Sequence, residues 1–187
     1  MKINELSVGK LIEETREIHA RPGGGAIAIL TANLGVNLAL MLNKKEWGDL
    51  KAEAQEFYKE MIHISDLLTK CADDDIYYAN ILVGEFSKKG TIDEKYFIDA
   101  ARPQVRLNTL ALKAMEILAF YLENGKKTTL ADGDVANELI YGAIKASVPT
   151  LEMNLKNTNY KYNIGDVLKE AEKLYYNNRN IIERRKA

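Results

Sequence analysis

The sequence predicts an all-α fold, a multihelical, bundle-like single domain spanning residues 1–187 and built from about five to seven helices. Three observations lead there. Proline occurs only at Pro22, Pro103 and Pro149, so long segments run without a breaker. Strand-type alternation of β-branched residues is nearly absent. Ile98, Val105, Leu112 and Ala119 recur every seven residues, with Ala101, Met115 and Leu122 on the neighbouring row, the pattern of a helix packed lengthwise against others.

The elements follow in order. Leu11, Ile12, Thr15 and Ile18 keep helical spacing behind Ser7, a residue suited to cap a helix start. The turn Arg21-Pro-Gly-Gly-Gly-Ala26 launches an apolar helix over Ala26–Leu42. A break at Asn43–Asp49 separates it from a helical pattern running from Leu50 to about Lys88, as one long helix or two nearly collinear ones. Gly90 closes that segment, and Thr91-Ile-Asp-Glu94 reads as a capping box opening the next helix. Pro103 displaces the start of that helix or kinks it, and Asn124-Gly125 ends it. Thr128 or Thr129 caps a further helix to about Ser147, which Pro149 kinks or restarts. Asn163 begins a last amphipathic helix to about Arg184, followed by the basic run Arg184-Arg185-Lys186.

Composition narrows the function. The 187 residues are 47% hydrophobic and 28% charged, enough to bury a core without metal or disulfide staples and too apolar for disorder. The net charge of −1 argues against a general nucleic-acid binder, whose affinity rests on neutralising phosphates. The single cysteine, Cys71, excludes an intrachain disulfide and reads as an inert core residue. The N-terminus lacks the apolar region of a secretory signal. Ala26–Leu42 carries Asn33 and Asn37 and is shorter than about 20 residues, which favours a buried helix over a membrane span. A cytoplasmic protein without a membrane partner is the expectation. His19 and His63 stand in no ligand spacing, and HExxH and CxxC are absent, so no metal is expected.

Four features carry possible chemistry. Gly23-Gly24-Gly25 puts three bare α-carbons ahead of an apolar helix. Two readings stand: free N–H groups at a helix N-terminus facing an anion or polar ligand edge, or a tight turn where two helices approach. Asp73, Asp74 and Asp75 are consecutive, followed by Tyr77 and Tyr78. On a helix they point about 100° apart, so one faces inward, where burial would raise its pKa toward proton transfer near neutrality; the alternative is a solvated acidic turn. Asp132 and Asp134 open a helix, as stabilising first-turn carboxylates or as ligand contacts. Asn154, beyond Pro149, is a candidate buried donor and acceptor.

Taken together these pieces resemble the formiminotransferase-cyclodeaminase C-terminal family, over about Leu6 to Tyr176. The anchors are Pro22-Gly-Gly-Gly25, Asp74 with Tyr78, Gly125, Asp132 with Val135-Ala136, and Asn154-Leu155. The resemblance implies an all-α fold forming an intertwined homodimer. It implies tetrahydrofolate as substrate carrier and a reaction at the carbon bridging N5 and N10. That reaction is either cyclisation of 5-formiminotetrahydrofolate with loss of ammonia or hydrolytic opening of 5,10-methenyltetrahydrofolate to the 10-formyl product. The acid/base role falls by resemblance on Asp74. Gly23, Gly24, Gly25, Tyr78, Asp132 and Asn154 then bind substrate. Arg21, with Lys44, Lys45 or Arg106, is a candidate for the anionic glutamate tail on charge alone.

Four positions depart from the family pattern. Ala26 stands where a Ser or Thr commonly follows the glycines, Ala131 replaces a serine, Asp134 a glycine, and Thr150 an asparagine. These losses of polar groups motivate a rival reading, a divergent helical dimer that binds a folate-like molecule without turnover. A partner-binding bundle using the basic tail is a third, set against a frayed terminus.

Overall fold

The computed structural model describes residues 2–17 and 22–186. Its α-helices are α1 (Val8–Thr15), α2 (Gly24–Ala39), α3 (Lys51–Phe86), α4 (Glu94–Asn124), α5 (Leu130–Leu155) and α6 (Ile164–Lys186), with short 3₁₀ turns between some of them and no strand among the described residues. Ile18, His19 and Arg21 lie outside the described residues.

The apolar helix α2 is central. Its Ala26, Ile29, Ala32, Val36 and Ala39 are buried, and it packs against α5 and α3 and touches α4. The approach to α5 is close: a Cβ on Gly35 would stand 2.7 Å from Ile140 Cγ1 and 3.1 Å from the Ala136 carbonyl. Gly24–Leu42 is long and apolar enough to cross a membrane, and half of it is buried inside the protein, in keeping with the buried-helix reading. Ile29, Leu68, Met115, Ile144 and Ile182, from α2 to α6, belong to one continuous hydrophobic cluster.

Several ends differ from the expectation. Ser7 caps α1 as read, accepting from the Lys10 amide at 3.2 Å. α2 begins two residues early, at Gly24, because Gly23 is itself the N-cap. α3 is one helix of 36 residues. The cap of α4 is Asp93, whose carboxylate accepts from the Lys95 amide at 2.9 Å; the capping box based on Thr91 does not form. Glu94 is engaged elsewhere, accepting from the amide of Asn159 at 2.9 Å. Pro103 and Pro149 both lie inside helices, each removing one intrahelical donor without ending its helix. Thr129 precedes α5 but does not cap it, its hydroxyl donating to the Met41 carbonyl at 3.0 Å.

The seam of α4 is one row over from the heptad expected. Ile98, Val105, Leu112 and Ala119 are half-buried, while Ala101, Leu107, Ala111, Met115, Leu118 and Leu122 form the core. Nor is the basic run a free tail. Arg185 donates to the carbonyls of Leu122 and, at 2.8 Å, Gly125. Arg184 meets Glu123 at 2.6 Å, and Lys186 meets Asp134 at 3.3 Å. The end of α4 leaves carbonyls without intrahelical donors, and a guanidinium supplies them.

Candidate active site

The site begins with the N-terminus of α2. With Gly23 as N-cap and no side-chain cap, the first amides of the helix are open. Asp75, from the middle of α3, approaches that end and accepts from the Ala26 amide, so it serves as a cap supplied from another helix. The approach requires Gly25. A Cβ there would stand 2.5 and 2.8 Å from the two Asp75 carboxylate oxygens and 2.7 Å from Gln104 Nε2. Gly23 and Gly24 have open space where a Cβ would sit, and that space belongs to a cavity. The close-approach reading of the glycine run holds at Gly25, while Gly23 and Gly24 border open space.

Asp75 is 7% exposed. Its Oδ1 accepts from Gln104 Nε2 of α4 at 2.7 Å. Burial pushes the carboxyl up to about 6, against the opposing pull of the hydrogen bonds from Gln104 and from Ala26. A carboxyl poised there exchanges a proton readily at physiological pH.

The cavity beside it measures about 290 Å³. Gly23, Gly24, Gly25, Asp75, Thr150 and Asn154 form a polar margin, and Leu82, Val83 and Phe86 of α3 with Phe97 and Ala100 of α4 form an apolar wall. The Phe86 and Phe97 rings meet edge to face, 5.9 Å between centroids. Met153 of α5, 69% exposed, stands at the rim. A flat, largely apolar molecule with a few polar edges matches this lining.

The sequence-predicted residues divide. Gly23, Gly24, Gly25 and Asn154 line the cavity together, and so does Thr150. Asp74 and Tyr78 do not. They line a different space of about 340 Å³ with Cys71, Arg102, Pro103 and Arg106, because one helical step turns a side chain about 100°. Asp73 faces another way again, accepting from the Ile3 amide at 2.9 Å. Asp132, half-buried in the first turn of α5, lies 22 residues before Asn154 on one helix, roughly 33 Å away along its axis. Ala131 shares that remote end. Asp134 is held by Arg179 at 2.6 Å and by Lys186. Ala26 is buried and acts through its amide, which needs no hydroxyl.

The cations separate likewise. Lys44 and Lys45 line a cavity with Lys51 at the start of α3, and 24 residues of helix put Lys51 roughly 36 Å from Asp75. Within one chain they meet no ligand seated at Asp75. Arg106 borders the Asp74 side of α3. Cys71 is buried and its thiol is pushed up to about 11 by burial, an unreactive group. Among the described residues no three His, Cys, Asp or Glu side chains cluster as a metal site would need.

Sequence reasoning alone did not single out Gln104, nor Asp75 over its two neighbours. A signal for Asp75 was present. Met61, Ile64, Leu68 and Cys71 continue through position 75 to Leu82 on one helical stripe, so the carboxylate on the apolar face was legible from spacing. Gln104 sits on a stripe of the same kind, between Ala101 and Leu107 on the row that continues through Ala111, Met115, Leu118 and Leu122, but nothing in that spacing pairs it with Asp75.

The comparisons with known proteins agree with this architecture. A solved formiminotetrahydrofolate cyclodeaminase from Thermotoga maritima superposes with a TM-score of 0.81 at 19% identity, covering 98% of this chain and 96% of that one, and shares its fold. A methenyltetrahydrofolate cyclohydrolase from Methylorubrum extorquens is 21% identical over 168 residues, 82% of this chain and 81% of the relative. The sequence model of the formiminotransferase-cyclodeaminase family matches residues 7–173. With that span covering most of its length, and with the helical fold to match, the chain belongs to the formiminotransferase-cyclodeaminase family.

Proposed function

We propose that this chain hydrolyses 5,10-methenyltetrahydrofolate to 10-formyltetrahydrofolate, with Asp75 as the group that moves the protons. The observation that carries the reading is the buried Asp75 carboxyl on the wall of the glycine-edged cavity, raised to about 6. This transfers to Asp75 the role that resemblance had put on Asp74, since Asp74 lines a different space.

The chemistry follows from the site. The methenyl carbon between N5 and N10 carries positive charge, which an ionised carboxylate nearby attracts. Asp75 takes a proton from water as its oxygen bonds to that carbon, giving a tetrahedral hydroxyl adduct. The protonated carboxyl then delivers its proton to N5 as the carbon–N5 bond breaks. The hydroxyl loses its proton as the formyl C=O forms on N10, so one water is consumed and one proton released. The amides of Gly24 and Gly25, without intrahelical acceptors, can donate to the oxygen of the adduct. Phe86 and Phe97 supply an apolar surface for the ring system.

Cyclisation of 5-formiminotetrahydrofolate is the second reading, supported by the name of the Thermotoga maritima structure. It passes through a tetrahedral carbon of the same kind and asks the same carboxyl to protonate departing ammonia. A homodimer accompanies either reading, and sedimentation at micromolar concentration checks it.

The test is the loss of methenyltetrahydrofolate absorbance with wild type, Asp75→Asn and Asp74→Asn. Acceleration by wild type and Asp74→Asn but not by folded Asp75→Asn supports the proposal. Full activity in Asp75→Asn overturns the assignment of the acid/base group. No acceleration by wild type rejects cyclohydrolysis and moves the test to ammonia release from the formimino substrate. Tight tetrahydrofolate binding with neither turnover would identify a non-catalytic binder.

A further inference from the structure

Gln104 is fully buried, 0% exposed, on α4. Its Nε2 donates to Asp75, while its Oε1 is buried with no hydrogen-bond partner. A buried acceptor left unpaired is costly, and a leucine or methionine of similar volume would pack there without that cost. Glutamine differs from these by carrying a donor and an acceptor at the end of one rotatable plane. The ligand cavity does not explain the acceptor, because Gln104 is not among the residues that line it. The amide is packed against Asp75 and Gly25 without lining the cavity.

An ionisable side chain that feels the Asp75 charge is Cys71, one turn back on α3, and its thiol, pushed up to about 11, stays protonated where Asp75 titrates. From α2 Asp75 meets Gly25 and the Ala26 amide, and from α4 it meets Gln104. Thr150 and Asn154 share the cavity from α5, and neither ionises there. On α3 itself Asp73 accepts from Ile3, and Asp74 opens toward the space bordered by Arg102 and Arg106, with Cys71 at its edge.

We propose that Gln104 is a positioning residue for Asp75 whose amide turns over with the proton, Nε2 donating to the ionised carboxylate and Oε1 accepting from the protonated carboxyl. Rotation about the last torsion of glutamine exchanges the two ends in place, and that torsion is a broad, roughly two-fold one. Asp75 then keeps a partner in both protonation states and its orientation toward the cavity is unchanged as the proton leaves and returns. Gly25 makes this possible, since a Cβ there would press on both partners. The proposal rests on Asp75 as the acid/base group, but its test does not require folate turnover.

The experiment is a pH titration of the Asp75 carboxyl carbon by NMR in the substrate-free protein, comparing wild type with Gln104→Leu and Gln104→Glu, and with Gln104→Met if the leucine variant does not fold. Loss of the donor removes support from the charged form, so the Asp75 midpoint in Gln104→Leu is expected to rise by about one unit. In wild type the Gln104 side-chain amide signals are expected to shift with the same midpoint as Asp75. With turnover present, the acid limb of the pH–rate profile moves up with that midpoint in Gln104→Leu and recovers at high pH; a merely structural role lowers the rate evenly at every pH. In Gln104→Glu the two carboxyls share a proton, and one midpoint rises further. An unmoved Asp75 midpoint in the leucine or methionine variant, or Gln104 amide signals that ignore the Asp75 titration, overturns the proposal. Failure of the folate assay with these shifts intact would count against the proposed substrate alone.

Discussion

Gly25 and Asp75 are packed so closely that any side chain on the first would collide with the second: a Cβ would lie 2.5 Å from Asp75 Oδ1 and 2.8 Å from Oδ2. This contact joins the start of α2 to the middle of α3 and holds a carboxyl against open amides. Gly25→Ala is expected to destabilise the protein by about 1–3 kcal/mol through overpacking and to abolish the geometry of the site. Gly24→Ala meets nothing within 4 Å and should leave stability nearly unchanged. It fills part of the cavity margin, however, so its effect should appear in KM or kcat. Thermal melts of both variants beside their kinetics separate the two roles, and equal losses of stability would contradict the distinction.

Asp75→Asn should lower kcat/KM for methenyltetrahydrofolate by roughly 10²–10⁴-fold, the usual worth of a positioned proton-transfer group. Asp74→Asn, on the other side of α3, should change it by no more than about threefold. Absorbance decay with both proteins at matched concentration decides between the neighbours.

The acid limb of activity should follow the Asp75 carboxyl. The base form is needed for attack by water, so kcat/KM is expected to rise with pH and level off above about 6. Stability moves in the opposite sense. The folded carboxyl holds its proton more tightly than the unfolded one, whose value is 3.8, so the native state binds more protons between 3.8 and about 6. Asp75 thus costs stability progressively as pH rises through that window, and the full cost remains above it. Asp75→Asn should therefore be more stable than wild type at pH 7 by roughly 1–3 kcal/mol, with the advantage vanishing below about pH 4. Urea midpoints measured from pH 4 to pH 8 would show the difference between the two proteins grow with pH; a difference independent of pH would refute the assignment.

Arg185 closes the end of α4 through the carbonyls of Leu122 and Gly125. Arg185→Ala, or truncation after Glu183, should cost about 1–2 kcal/mol by returning those carbonyls to an unpaired state. Gln104, the α4 partner of Asp75, lies 20 residues before Asn124, roughly 30 Å along that helix, so turnover by folded protein should persist. A truncated protein with unchanged melting temperature would restore the reading of a frayed terminus.

Local spacing along the chain determined the helical content, a helical run through the aspartate triplet, the Ser7 cap and the glycine turn, while leaving open whether that run was one helix or two. It also identified the family, because the anchors from Pro22 to Asn154 are short motifs at readable intervals. The stripe of Met61, Ile64, Leu68 and Cys71 even pointed toward Asp75, although Asp74 was the better match to the family pattern. Tertiary packing decided the rest. Gln104 meets Asp75 across 29 residues of sequence, and Asn154 shares their cavity from a third helix. Asp132, 22 residues before Asn154, stands at the opposite end of α5 because one continuous helix joins them. The physical reason is that propensity, capping and periodicity act within a few residues of the chain. Helical spacing puts Asp75 on the apolar face of α3, but which amide meets it, which helices share its cavity and which cations stay remote depend on how whole helices face one another, and no pattern within one helix carries that information.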